Sequence, residues 1–69
     1  MEYVIDLRED HIKLGQALKA SGIAGSGVDA KYLISEGKVK VNGNVETQRG
    51  KKLYARDKVE YKGDFILIR

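Results

Sequence analysis

The feature that most constrains this chain is a change of hydrophobic period at Gly37. Upstream, Leu14, Ala17 and Leu18, then Ala30, Leu33 and Ile34, recur at helical spacing, which gathers each group on one helix face. Downstream, Lys38-Val39-Lys40-Val41 alternates polar and apolar, as a strand with one buried face does, and Asn42-Gly43 follows as a hairpin signal. Helices followed by strands must bury their apolar faces against one another, so the predicted class is α+β, with two short helices packed on a small antiparallel sheet.

Local signals set the expected boundaries. Val4, Ile5 and Leu7 form a β-prone run before the charged stretch Arg8-Glu9-Asp10. Asp10 is the expected N-cap of a first helix of about three turns that closes at Ser21-Gly22. Ser26, with Asp29 three residues on, predicts the N-cap of the second helix, and Gly37 suits the left-handed residue past its end. For the hairpin, a two-residue loop pairs Lys40 with Val45, whereas a three-residue loop over Asn42-Gly43-Asn44 sets Val41 opposite Val45 and Val39 opposite Thr47. The three-residue loop is expected on the match of apolar faces. Gln48 to Lys52 is a basic loop, Leu53-Tyr54 a brief extension, and Val59 and Tyr61 alternate before the turn Lys62-Gly63-Asp64 into a strand over Phe65-Ile66-Leu67-Ile68. The predicted core is Leu14, Leu18, Ala30, Leu33, Ile34, Val39, Val41 and Val59.

Size and composition limit the function. Sixty-nine residues make one small domain over 1–69, expected to be a monomer, with room for a binding surface rather than a deep catalytic cleft. There is no cysteine, and the single histidine, His11, lacks the companions of a metal site or a hydrolytic triad. Gly22-Ile23-Ala24-Gly25-Ser26-Gly27 opens a helix but lacks the Gly-Lys-Ser/Thr ending of a nucleotide-binding loop. The chain therefore reads as a non-enzyme with no cofactor and no small-molecule substrate. Met1 to Leu7 has neither a basic leader nor a long apolar run, so no membrane association is expected and the expected location is the cytoplasm.

Charge is unevenly distributed over a net +3. Met1 to His11 carries −3, whereas Lys38 to Lys58 carries +5. Lys38 and Lys40 share a strand face, and Arg49, Lys51 and Lys52 cluster in the following loop. Lys13, Lys31 and the helix start at Ser26-Gly27, with its free N–H groups, complete a surface suited to successive phosphates.

The runs Lys13-Leu14-Gly15-Gln16-Ala17-Leu18 and Ser26-Gly27-Val28-Asp29-Ala30-Lys31-Tyr32-Leu33-Ile34-Ser35-Glu36-Gly37-Lys38-Val39-Lys40-Val41-Asn42-Gly43 together carry a further signal, which continues through Asp57-Lys58-Val59. Over about residues 13–61 the chain resembles the RNA-binding domain named after ribosomal protein S-four, the alpha-L motif, in its short stand-alone bacterial form. The resemblance implies a surface of helix, turn, helix and hairpin that binds structured RNA, ribosomal or transfer RNA, around the ribosomal subunit in its assembly or in translation. On the residues' own placement and charge, the contacts expected on this surface are Lys13, Ser26, Gly27, Lys31, Lys38, Lys40, Asn42, Arg49, Lys51 and Lys52. The family's Arg-Leu-Asp start is Lys13-Leu14-Gly15 here, and its Ser-Arg is Ser26-Gly27, which replaces a planar guanidinium fork by backbone. The alternative from the residues alone is a protein-interaction adaptor that docks a partner through the acidic N-terminal segment or an exposed strand edge.

Overall fold

A computed structural model describes residues 1–69. The order is β1 (Glu2–Ile5), β2 (Ile12–Lys13), α1 (Leu14–Ser21), α2 (Gly27–Ser35), β3 (Lys40–Val41), β4 (Asn44–Val45), β5 (Lys52–Leu53), β6 (Lys58–Tyr61) and β7 (Asp64–Ile68). Five strands form one sheet in the order β1-β7-β6-β3-β4, and β2 and β5 form a separate two-stranded ribbon. All pairs are antiparallel except β1 with β7, which run parallel with Glu2 opposite Phe65 and Ile5 opposite Ile68. The α+β architecture is the one expected, with this single parallel pair added.

The first helix starts later than its sequence suggests. Lys13 is the N-cap in extended backbone, and its N–H donates to Gln16 Oε1 at 3.1 Å. Asp10 stands outside the helix because Ile12 is drawn into the ribbon opposite Leu53, and α1 is left with eight residues instead of about three turns. Gly22, at φ 84°, ends it and returns its N–H to the Lys19 carbonyl at 3.1 Å. The second helix is capped as expected: Ser26 Oγ accepts the Asp29 N–H at 3.1 Å.

The three-residue hairpin loop is corrected to two residues, with Lys40 opposite Val45 and Val41 opposite Asn44. Asn42 and Gly43 both have positive φ, 52° and 86°, the geometry whose twist matches paired strands. Val41 finds its apolar partner on the other side, opposite Val59 of β6, and so requires none across the turn. Val45 then needs no core position and remains 55% exposed.

The core lies between the helices and the inner sheet face. Leu14, Leu18, Ala30, Ile34, Val39, Val41 and Val59 are buried as predicted, joined by Ala17, Ala24, Leu53, Ile66 and Ile68. Leu33, predicted to be in the core, is only half-buried and packs against its margin. No polar or charged residue is buried, so the interior requires no desolvated hydrogen-bond network. Along β7, Ile66 and Ile68 point inward while Leu67 points out.

Candidate nucleic-acid interface

Two backbone bonds build the site. The first N–H groups of α1, from Leu14 and Gly15, donate to the carbonyls of Lys51 and Arg49 at 2.8 and 3.0 Å. A helix start leaves such donors without intrahelical partners, and here the basic loop supplies the acceptors and is thereby held against the helix. The start of α2 faces the same place. Its Gly27 and Val28 N–H groups have no partner, because Ser26 Oγ takes the Asp29 N–H and the Ser26 carbonyl takes that of Ala30.

Between these elements lies a groove of about 360 Å³, into which Lys13, Lys19 and Arg49 project around Gln16 and Gly27. None of the three cations has an acidic partner, since the ion pairs of the structure are Met1 with Asp64, Lys38 with Glu36 and Arg69 with Asp6. Lys13 also stands directly opposite Lys52 across the ribbon. Like charges in that position oppose pairing, so the fold holds a concentration of positive charge that nothing inside the chain neutralises.

The predicted residues divide between three places. The groove brings together Lys13, Gly27 and Arg49, with Lys52 beside them through the ribbon. Lys51 is exposed next to Lys52, Lys31 is exposed one turn beyond Gly27, and Ser26 is engaged in its cap. Lys38 and Lys40 do not line the groove. Lys38 is paired with Glu36 at 3.2 Å, and Lys40 stands opposite Glu60 on the outer face of the sheet. The groove therefore gathers part of the expected positive face, while Lys38 and Lys40 stand outside its lining beside the acids Glu36 and Glu60.

Asn42 has a structural task. Its Nδ2 donates to Asp57 Oδ1 at 3.0 Å, and its Oδ1 accepts the Lys58 N–H at 2.9 Å, which ties the hairpin turn to the start of β6. Lys19 and Gln16 are groove residues that the sequence reading omitted. Their spacing of three residues on α1, away from the buried pair Leu14 and Leu18, carries the signal that would have found them.

The family model described as the S4 domain matches residues 5–69. The chain belongs to the S4 domain family. The match is broader than the span that carried the resemblance and takes in β7 and the end of β1. The chain is 42% identical over 59 residues to the probable ribosome maturation protein RlbA of Bacillus subtilis (strain 168), covering 86% of this chain and 83% of that one. It is 38% identical over 61 residues to the putative RNA-binding protein YbcJ of Escherichia coli (strain K12), covering 88% and 87%. The solution structure of YbcJ from E. coli, described as revealing an alpha-L motif involved in RNA binding, superposes with a TM-score of 0.69 at 34% identity over 97% of this chain and 84% of that one. As an S4 domain, the chain has no helix long and apolar enough to cross a membrane. It also has no group of three or more side chains that could hold a metal ion.

Proposed function

We propose that this S4 domain is a non-enzymatic protein that binds structured RNA through the groove between α1, α2 and the Arg49–Lys51 loop, and that it acts in the maturation of the ribosome. The observation that carries the reading is the set of unpaired cations Lys13, Lys19 and Arg49 around the open start of α2. Phosphates bound there release condensed counterions, while the free Gly27 and Val28 N–H groups serve as donors to an oxygen. The bases in and beside the groove are the lysines Lys13, Lys19, Lys31, Lys51 and Lys52 and the single arginine Arg49, a balance that favours backbone and shape over base edges. Ribosomal RNA is preferred to transfer RNA because the Bacillus subtilis relative is named a probable ribosome maturation protein. Such a role places the chain in the cytoplasm as a monomer on a maturing subunit.

The test is a titration of labelled ribosomal RNA helices and of transfer RNA, each at several salt concentrations. Affinity for the ribosomal helices that falls steeply with salt is expected. Affinity indifferent to salt, or no affinity at all, overturns the reading.

A further inference from the structure

β1 is an edge strand with one side in use. Its pairing with β7 engages the Met1 and Ile5 carbonyls, which accept the Phe65 and Arg69 N–H groups at 2.9 and 2.8 Å, and the Leu7 N–H, which donates to the Arg69 carbonyl at 3.1 Å. The alternate residues Glu2, Val4 and Asp6 therefore turn their backbone donors and acceptors away from the sheet, where no other strand lies. All three are exposed. An unpaired row of this kind is a template for strand addition.

The side chains determine which strand fits. Val4 is 53% exposed and stands opposite Leu67, and beside them a depression of about 220 Å³ is walled by Phe65 and by Lys58, whose ammonium lies 4.3 Å from the Phe65 ring centre. Glu2 and Asp6 flank Val4, two residues to either side. A second copy of the chain is a poor occupant. An antiparallel pair centred on Val4 sets Glu2 against Asp6 of the other copy, a parallel pair in register sets each acid against itself, and like charges directly opposite are destabilising. RNA is also a poor occupant, since residues 1–11 carry −3 while the rest of the chain carries +6.

We propose that the free edge of β1 accepts an extended, lysine- or arginine-bearing segment of a partner protein, adding a sixth strand to the sheet. The favoured segment has an apolar residue opposite Val4 and a base two residues to each side, opposite Glu2 and Asp6, whichever direction it runs. Asp6 is also held by Arg69 at 2.8 Å, so Glu2, which has no ion-pair partner, supplies the stronger attraction. No residue of β1 lines the basic groove, so RNA and the basic segment occupy the domain together. The basic groove and the acidic edge are separate surfaces, and the edge serves the basic protein segment. This inference stands on the sheet edge and does not depend on the RNA reading.

The test follows backbone amide signals by NMR while the full chain is titrated with a peptide of sequence Lys-Thr-Val-Thr-Lys. Shifts and slowed hydrogen exchange confined to β1, strongest at Glu2, Val4 and Asp6, are expected. Replacing both peptide lysines by glutamate should weaken binding about tenfold through two reversed cross-strand pairs. Val4→Pro removes an N–H that points away from β7, so it should abolish peptide binding while the β6 and β7 signals stay in place. If Val4→Pro unfolds the chain, Glu2→Lys serves instead and should reverse the preference between the two peptides. Equal binding of both peptides, or shifts centred away from β1, overturns the proposal. So does an RNA helix that moves the β1 amides in place of those around Lys13 and Arg49.

Discussion

Lys13 and Lys52 face each other directly across the β2–β5 ribbon, a like-charge pair in a two-stranded element that only two residues from each strand hold together. Opposite charges there would stabilise the ribbon, so the pair lowers the stability of the free protein in favour of a charge that an anion can use. Lys52→Glu is accordingly expected to raise the unfolding free energy by about 0.2–1 kcal/mol and to weaken RNA binding. Denaturant midpoints and RNA titrations on the same variant check both directions. A variant that is more stable and binds equally well would separate the pair from the binding site.

The groove and the hairpin strand are distinguishable by salt. Replacing Lys13, Lys19 and Arg49 together by glutamine should flatten the dependence of log affinity on log salt by about 0.7–0.9 for each phosphate contact removed. The double replacement of Lys38 and Lys40 should change it much less, because Lys38 is paired with Glu36 and Lys40 faces Glu60. Slopes measured for the wild type and both variants, each shown to be folded by circular dichroism, rank the two surfaces.

Asn42 fixes the turn in two ways, through a left-handed backbone at φ 52° and through side-chain bonds to Asp57 and Lys58. Asn42→Ala loses both and is expected to cost about 1–2 kcal/mol. Asn42→Gly restores the backbone freedom and should recover part of that loss. Thermal unfolding of the two variants resolves the contributions, and equal midpoints would show that the backbone conformation carries no cost.

The Arg69 guanidinium, chiefly through its hydrogen bonds and then through its charge, holds the Asp6 carboxyl below its ordinary value of 3.8. A carboxyl whose folded pKa is depressed contributes stability above its unfolded pKa and loses it as pH falls through the folded one. The wild type should therefore lose a small stability increment in acid, starting near about pH 4, that Arg69→Gln lacks, and added salt should shrink the difference. Denaturation of both proteins at neutral and acid pH measures it. Identical pH dependence would remove the pair from the acid response.

What the sequence revealed was local. The apolar face of α1, Ala30 and Ile34 of α2, the Ser26 cap and the glycine stops at Gly22 and Gly37 follow from residues within a turn or two of one another and appear where expected, while Leu33 lies at the margin of the core. The hairpin loop length was misread because the partner of Val41 lies at Val59, eighteen residues away, and not across the turn. The β2–β5 ribbon had no local signature at all. Its two-residue strands are set by burial of Leu53 beside Ile12, and that pairing moved the helix start from Asp10 to Lys13. For the site, the basic loop and Gly27 were legible from charge and glycine spacing. The neutralisation of Lys38 was hidden because the left-handed turn at Gly37 brings Glu36 back beside it.

The parallel pairing of β1 with β7 has a consequence for how the domain folds. Strand β7 is not at the margin of the sheet but second in its order, between β1 and β6, and it supplies Ile66 and Ile68 to the core. Strand β1 must wait for it, because Glu2 and its partner Phe65 are 63 positions apart in the chain. Contacts of such long sequence separation slow folding, because the loop between them closes before they form. The helices can form from contacts within a turn or two, but the sheet closes only when β1 and β7 meet across the whole domain, so that closure, rather than helix formation, sets the pace of folding.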